Sequence, residues 1–320
     1  MREWLDDDEL PEMWSLESRR TGALRQLWGI SMAKRESKTE LGGRIAGETR
    51  NLDQIREHYE IEKALARRLL NSTKEERFHL YGTSYDELYA RVPLHPQFRE
   101  KADPALSRAK IRNQLGLVER ILKSKMTFME IGPGDCSFSF EVAKRVRNAV
   151  AIDVTAEMAG DLDSPANFEL MISDGINIPV ADCSIDLAYS NQLVEHLHPN
   201  DAMEQLKDIH RSLVETGVYV CNTPSRLNGP HDVSKYFDDV ATCFHLKEYT
   251  FTELRDMFLK VGFSRIRTYV GGGGVYLRVP VVLLMTYERF IDVLPRTVRK
   301  RLNRNAFYSG LLAIHIMGIK

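Results

Sequence analysis

The stretch Met129-Glu-Ile-Gly-Pro-Gly-Asp-Cys-Ser137 decides the fold. It begins in a short apolar run and ends where a helical pattern starts, so it predicts a turn between a strand and a helix. Gly132 and Gly134 can take positive φ angles, and without a Cβ they let a ligand approach the backbone. Exposed N–H groups at the start of the next helix favour a negatively charged ligand group. Glu130, two residues before the first glycine, favours a cationic group.

Strand-like and helix-like patterns alternate after this turn. Such alternation predicts an α/β fold whose mostly parallel sheet is covered by helices on both faces. We therefore expect a Rossmann-like sheet of seven strands. The predicted strands span residues 127–131, 149–154, 168–172, 185–190, 218–222, 264–270 and 311–317, and the predicted helices between them span 137–146, 201–213 and 251–261.

The segments on either side of the predicted sheet have a different character. Residues 1–126 show no convincing strand, and apolar spacing there predicts a helical N-terminal region, with helices at 53–70 and 107–123. Residues 127–320 form the second predicted domain, with a basic helical insertion at about 279–306. A solvated helix face explains the basic charge of this insertion, and contact with an anionic substrate or a membrane surface is the alternative.

Composition limits the classes of function. Lys and Arg number 44 against 45 Asp and Glu, a net charge of -1, so the chain has no global electrostatic footprint for nucleic acid. The four cysteines are scattered without a CxxC pair, which argues against a zinc ribbon and suits reduced thiols. No apolar run approaches the ~20 residues that span a bilayer, and the acidic N-terminus does not resemble a signal peptide. We expect a cytoplasmic protein of undetermined oligomeric state.

Two further acidic residues follow the second and third predicted strands. Asp153 lies 19 residues after Gly134, where a carboxylate can accept hydrogen bonds from two ribose hydroxyls. Asp174 can accept from an adenine amino group, and Gly175 leaves room for the ring. Ordinary turn glycines, a helix N-cap at Asp153 and a turn role for Asp174 are the alternatives. Acids at three successive strand ends favour one ligand in the crevice at the carboxyl edge of the sheet.

This set of residues resembles the class I S-adenosylmethionine-dependent methyltransferases. EIGPGDC resembles the family's first glycine motif, which carries the methionine part of the cofactor, while AIDVTAEM and SDG resemble its ribose and adenine motifs. The resemblance covers about residues 110–270 and implies S-adenosylmethionine as cofactor, methyl transfer as reaction and a last strand that returns antiparallel. The cofactor-binding residues that it implies are Glu130, Ile131, Gly132, Pro133, Gly134, Asp153, Val154, Ser173, Asp174, Gly175 and Asn191.

One position departs from the family pattern. Cys136 stands where the third glycine is usual, so we expect a bulkier helix start and a slightly displaced cofactor. A nicotinamide-binding Rossmann oxidoreductase is an alternative, but its GxGxxG pattern would place glycine at Ser137 and its pyrophosphate near Glu130. A non-catalytic cofactor-binding or scaffold protein on the same fold is the other alternative.

The block after the fourth predicted strand resembles that of quinone-biosynthesis O-methyltransferases, which use Glu-x-x-Glu-His for a divalent ion. Gln192 replaces the first acid here, which leaves Glu195 and His196. One carboxylate and one imidazole make a poor site for a hard cation, so no metal is predicted. A structural or helix-capping role is expected for Glu195 and His196.

A long polar loop follows the fifth predicted strand. His231 titrates near neutral pH and is the predicted catalytic base for an attacking hydroxyl, with a loop-capping role as the alternative. The stretches PSRLNGPHDVSKYFD and HLKEYTFTELRDMF resemble bacterial methyltransferases that act on sugars or secondary metabolites, which implies a small-molecule acceptor and favours oxygen as the attacked atom. The predicted substrate-binding residues are Gln192, His196, Arg226, Asp232, Tyr236 and His245.

Overall fold

The computed structural model describes residues 48–98, 103–156 and 163–320, so the part of the helical N-terminal prediction that falls on residues 1–47 lies outside the described chain. Residues Leu52–Lys320 make up one compact unit. Its helices are α1 Leu52–Leu70, α2 Lys74–Arg91, α3 Pro104–Val118, α4 Ser137–Ala143, α5 Pro199–Ser212, α6 Phe251–Val261, α7 Val281–Asp292, α8 Arg296–Asn303 and α9 Ala306–Gly310. Its strands are β1 Thr127–Ile131, β2 Asn148–Asp153, β3 Phe168–Ile172, β4 Ile185–Asn191, β5 Leu213–Thr223, β6 Arg265–Gly272, β7 Val275–Val279 and β8 Ile314–Ile319.

The strands form one sheet in the order β3-β2-β1-β4-β5-β8-β6-β7. β1 to β5 pair in parallel, and β8 runs antiparallel between β5 and β6. The Rossmann-like, mostly parallel sheet and its antiparallel last strand are therefore confirmed. β1 and β4 lie at the centre, and Phe128, Met129 and Leu187 on them are fully or almost fully buried, as expected for strands covered on both faces.

The sheet has eight strands where the sequence predicts seven. The additional strand, β7, forms an antiparallel hairpin with β6 at the sheet edge. Gly273 and Gly274 take positive φ angles of 64° and 92° in the turn, a conformation that glycine adopts without strain. The apolar residues of β7 continue directly into those of α7, and only Pro280, the N-cap of α7, separates them. Hydropathy alone therefore does not distinguish the strand from the helix.

Helices α7, α8 and α9 occupy the segment where the basic insertion is predicted. Part of its positive charge is paired: Arg299 contacts Asp292 at 3.2 Å, and Lys300 contacts Asp239 at 2.9 Å. None of the helices in the described residues is both long and apolar enough to cross a membrane.

A buried ion pair fixes α2 against the sheet domain. Arg77 on α2 donates to both carboxylate oxygens of Asp201 on α5, with Nη2 2.8 Å from Oδ1, and the two side chains are 5% and 1% exposed. The hydroxyl of Tyr81 donates to the same carboxylate at 2.7 Å. A Cβ on Gly82 would lie 3.3 Å from the carbonyl oxygen of Val154, so α2 passes close to the end of β2. This contact brings one face of α2 to the carboxyl edge of the sheet.

Candidate active site

A crevice of about 490 Å³ opens at the carboxyl ends of the central strands. It lies where the strand order reverses between β1 and β4, the position at which open α/β sheets bind ligands. Its volume is in the range of small-molecule and cofactor sites. Every residue predicted to bind the cofactor lines this crevice except Asp174.

The glycine turn between β1 and α4 forms the floor of the crevice. Gly132 and Gly134 have φ angles of 67° and 59°, the left-handed region that glycine adopts without strain. The Gly132 N–H donates to the carbonyl of Ile152 at 2.9 Å, which ties the turn to β2. A Cβ on Gly132 would come within 2.9 Å of Leu193. The turn therefore needs glycine here for both its backbone angle and its close packing.

Cys136 takes the place of the family's third glycine without projecting into the crevice. Its φ of 58° is left-handed, so this position has the backbone angle for which glycine is favoured. Its side chain is completely buried, whereas the neighbouring Asp135 and Ser137 line the crevice. The bulkier helix start is thus accommodated in the core, and nothing in this geometry requires the displaced cofactor expected from the sequence.

Glu130 lies at the end of β1 with its carboxyl group in the wall of the crevice. It is 2% exposed, and the Ser139 hydroxyl donates to its Oε2 at 2.5 Å. Burial raises the pKa of Glu130 to about 8, and the Ser139 hydrogen bond opposes this only in part. A cationic ligand group beside Glu130 would stabilise the ionised carboxylate, and this is the cationic preference predicted from the sequence.

Asp153 lies at the end of β2, on the adjacent part of the crevice wall. Its Oδ1 accepts from the Val154 N–H at 2.7 Å, and its backbone carbonyl accepts from Ser173 N–H at 2.8 Å. Burial raises the pKa of Asp153 to about 6, although backbone N–H groups stabilise its ionised form. The carboxylate keeps acceptor capacity toward the crevice, as a ribose-binding acid requires.

Asp174 is the predicted cofactor residue that the structure does not bring to the crevice. Its Oδ1 accepts from the N–H groups of Ile176 and Asn177 at 2.9 and 2.8 Å, and its Oδ2 accepts from the side chain of Asn177. These bonds hold a turn, which is the alternative weighed in the sequence analysis. Ser173 and Gly175, its neighbours, do line the crevice.

A row of tyrosines from α2 forms a wall of the crevice that the sequence analysis did not identify. Tyr81, Tyr85 and Tyr89 line it, and their spacing of four residues places them on one face of the helix. Tyr85 packs against Tyr89 and Phe244, with ring centroids 6.0 and 5.1 Å apart. The regular spacing was the available signal, but the position of α2 over the crevice depends on contacts with α5.

Polar residues from other elements complete this wall. Gln97 accepts from the Tyr89 hydroxyl at 2.5 Å, and Gln205 donates to the carbonyl of Gly175 at 2.7 Å. Among the described residues that line the crevice, Lys110 is the one lysine or arginine. The tyrosine wall and these amides offer neutral hydrogen-bonding groups and aromatic surface.

Gln192 and His196 are the predicted substrate residues that line the crevice. His196 Nδ1 lies 2.9 Å from the carbonyl oxygen of Phe244, and burial lowers the pKa of His196 to about 3. Its ring meets that of His245 edge to face at 4.9 Å. His245 does not line the crevice but lies behind His196 in the protein interior.

Glu195 and His245 form a buried polar group with His196. Glu195 is fully buried, Thr223 donates to its Oε2 at 2.8 Å, and burial raises the pKa of Glu195 to about 7. His245 Nδ1 lies 2.8 Å from Glu248 Oε1. Burial opposes protonation of His245, but the Glu248 hydrogen bond and the nearby Glu195 charge raise its pKa.

The remaining predicted residues are not among those that line the crevice. His231, the predicted base, has its Nε2 2.8 Å from Asn228 Oδ1 and its backbone N–H bound to Glu248. Arg226 pairs with Asp292, and Tyr236 ends a short helical turn near the surface. Asp232 is buried and accepts from the N–H groups of Ser234, Cys243 and His245, so it organises the loop. The loop folds onto the residues around Glu248 and α7 and does not cover the glycine turn between β1 and α4.

The comparisons with known proteins agree with this geometry. The sequence model of a family described as "Methyltransferase domain" matches residues 129–221, which run from β1 to β5 and include the glycine turn and Asp153. No curated protein sequence matches the chain.

Three of the solved structures to which the chain is similar are the following. A chain of the complex between the Haloferax volcanii Trm112 methyltransferase activator and a methyltransferase is 14% identical with a TM-score of 0.50, covering 69% of this chain and 94% of that one. An S-adenosylmethionine-dependent methyltransferase from Archaeoglobus fulgidus is 20% identical with a TM-score of 0.48, covering 70% and 98%. Haemonchus contortus phosphoethanolamine N-methyltransferase 1, solved with phosphoethanolamine and S-adenosylhomocysteine, is 14% identical with a TM-score of 0.49, covering 78% and 50%.

Proposed function

We propose that this chain is a class I S-adenosylmethionine-dependent methyltransferase and that it methylates an oxygen atom of a small molecule. The observation that carries the proposal is the division of the crevice into two parts. Buried acids and a glycine turn lie at the strand ends, while tyrosines and amides of α2 and its neighbours face them. The first part fits the cofactor, and the second offers a surface for an uncharged acceptor.

The residues at the strand ends fit the cofactor chemically. S-adenosylmethionine supplies a methyl group on a positively charged sulfur. Glu130 would hold its ammonium group, since a buried carboxyl gains most from a cationic partner. Asp153 would accept from the ribose hydroxyls. The absence of a Cβ at Gly132 and Gly134 lets the backbone approach the ligand, and this fit disfavours a dinucleotide, whose pyrophosphate would face Glu130.

The tyrosine wall supports a small acceptor with neutral polar groups. Tyr85 and Tyr89 present ring faces and edges, and Gln97 and Gln192 present amide groups. Lys110 is the one strong cation in the described lining, so a doubly charged phosphate would find little compensation there. A sugar or secondary metabolite with free hydroxyls meets these conditions.

The residues that line the crevice are better suited to positioning the acceptor than to removing its proton. His231 lies outside it, and the low pKa of His196 leaves that imidazole neutral but weakly basic near pH 7. Holding the acceptor oxygen in line with the methyl group would supply much of the rate acceleration. Two groups that are bound in the right geometry react without the entropic cost of being brought together. A phenolic hydroxyl, which ionises more readily than an aliphatic one, suits such a site best.

The test is methyl transfer from radiolabelled S-adenosylmethionine to matched acceptor panels. Phenols, sugars, amines and phosphorylated amines are compared at equal concentration, and products are identified by mass. We expect turnover on hydroxyl acceptors, reduced in Tyr85→Ala, while a control substitution of the exposed Glu169, Glu169→Gln, has no effect. Turnover on amines alone would contradict oxygen as the attacked atom. Cofactor binding without turnover on any panel would favour the non-catalytic alternative.

We also propose that the protein is located in the cytoplasm. A cytoplasmic location, inferred from the scattered cysteines, agrees with the four cysteines forming no disulfide in the structure. Fractionation of cells with an antibody to the chain tests it, and recovery in a secreted fraction would contradict it.

A further inference from the structure

Three potential metal ligands converge behind the crevice wall. Glu195, His196 and His245 each offer one ligand atom, and these atoms lie within 4.8 Å of one another. Glu195 and His196 follow β4, whereas His245 comes from the loop before α6, nearly 50 residues later in the chain. Only Glu195 and His196 are adjacent in the sequence, and these two ligands alone predicted no metal. Folding adds the third ligand.

The orientation of both imidazoles suits a metal ion. His196 Nδ1 is held by the Phe244 carbonyl at 2.9 Å, and His245 Nδ1 is held by the Glu248 carboxylate at 2.8 Å. These bonds occupy Nδ1 of both rings, so Nε2 is the nitrogen of each ring that a metal ion would take. Metal-binding histidines characteristically direct one nitrogen to the ion while the other donates to a carbonyl or carboxylate.

The carboxylate of Glu195 provides an independent observation. Its side chain is completely buried, and its Oε2 accepts from Thr223 Oγ1 at 2.8 Å. Its Oε1 is also buried and has no hydrogen-bond partner in the described structure. A buried carboxylate oxygen without a partner carries a desolvation cost that a cation would remove.

We propose that Glu195, His196 and His245 bind one divalent transition-metal ion of the zinc class. Two imidazoles and one carboxylate are donors that zinc prefers, whereas Mg²⁺ and Ca²⁺ require more oxygen ligands. Ligand bonds of about 2.0–2.2 Å would draw the three atoms together by a small side-chain movement. This donor set differs from the Glu-x-x-Glu-His arrangement, whose first acid is Gln192 here.

The location of the ion would allow it to act on a group bound in the crevice. His196 lines the crevice, so the ion would lie directly behind the crevice wall, and its fourth coordination position would be the one that a group in the crevice could occupy. A hydroxyl bound at that position would lose its proton more readily. This consequence rests on the proposed function, but the binding of the ion does not.

The experiment is a Co²⁺ titration of the full-length protein after treatment with a chelator. Co²⁺ substitutes for Zn²⁺ and reports its coordination through visible absorption. We expect one Co²⁺ per chain, with the bands of a four- or five-coordinate site, and displacement by one equivalent of Zn²⁺. X-ray absorption of the Zn²⁺-loaded wild type should show two imidazole ligands, a result that requires no variant to fold.

Variants assign the ligands. Glu195→Gln and His245→Gln should each weaken Co²⁺ binding by more than about 100-fold, and Glu248→Gln, which alters the orientation of His245, by about 10–100-fold. His79→Gln, at an exposed histidine on α2, is the control and should bind like wild type. S-adenosylhomocysteine affinity and circular dichroism confirm that each variant is folded. No stoichiometric Co²⁺ in the wild type, or equal binding by Glu195→Gln, would overturn the proposal, whatever the methylation assays show.

Discussion

Substituting Glu130 with glutamine should make the ligand-free protein less sensitive to alkaline pH. The Glu130 carboxyl is 2% exposed and has a pKa of about 8, against 4.5 in an unfolded chain. The folded protein therefore keeps a proton that the unfolded chain loses between these values. Stability from this group is fully present below about pH 4.5 and is lost as the pH rises through 8. A difference of 3.5 pH units corresponds to roughly 5 kcal/mol at most.

Glutamine keeps the shape and the acceptor for the Ser139 hydroxyl but cannot ionise. Urea unfolding of the ligand-free wild type and Glu130→Gln should be measured from pH 5 to pH 9. The wild type should lose several kcal/mol relative to the variant across this range, with most of the loss below about pH 8. Glu169→Gln, at an exposed position of β3, should follow the wild type. A difference between wild type and Glu130→Gln that stays constant within about 1 kcal/mol would refute the burial argument.

The same carboxyl should link cofactor binding to proton release. At pH 7 a group with a pKa of 8 is protonated in about nine-tenths of the molecules. If Glu130 pairs with the ammonium group of S-adenosylhomocysteine, binding should release up to about 0.9 proton. Calorimetric titration in two buffers with different ionisation enthalpies measures this release. Glu130→Gln should bind more weakly and release much less, and equal release by both proteins would place the cation elsewhere.

Three further substitutions test other parts of the structure. Gly132→Ala should lower the free energy of unfolding by about 1–2 kcal/mol, because a Cβ at φ 67° is strained and meets Leu193. Chemical denaturation measures this change, and a variant as stable as the wild type would contradict it. Arg77→Met should cost about 3–5 kcal/mol, since it leaves the Asp201 carboxylate buried without its cation, and an unchanged melting curve would contradict this. His231→Ala should change kcat by less than about tenfold, below the range typical of a lost general base, and cofactor affinity by less than about threefold. A larger fall in kcat would indicate that His231 takes part in catalysis.

The sequence predicted those features that depend on local patterns. β1 to β4 are short, mostly apolar runs bounded by turn residues, and parallel strands place their carboxyl ends at one edge. The placement of Glu130, Gly132 and Asp153 in one crevice followed from this rule. β7 was missed because its apolar residues continue into α7 across Pro280 with no polar segment between them.

Features that depend on distant contacts could not be predicted in this way. Tyr85 has the right spacing on α2, but distant contacts such as the ion pair of Arg77 with Asp201, 124 residues away, place that helix over the crevice. His231 has suitable chemistry in a suitable loop, yet its contact with Asn228 holds it outside. His245 lies close to Glu195 because the loop before α6 folds back against β4. The hydrophobic periodicity of the sequence does not predict this long-range contact.

The central claim, that the acids at the strand ends bind the cofactor, is tested most directly at Asp153. S-adenosylhomocysteine should be titrated calorimetrically into wild type, Asp153→Ala and the matched control Asp163→Ala, which removes an exposed acid after the second strand. The wild type and the control should bind one equivalent with similar affinity. Asp153→Ala should lose about 1–3 kcal/mol of binding free energy, the cost of hydrogen bonds to a charged group, while remaining folded. Unchanged affinity in a folded Asp153→Ala protein, or no binding by the wild type, would contradict the account.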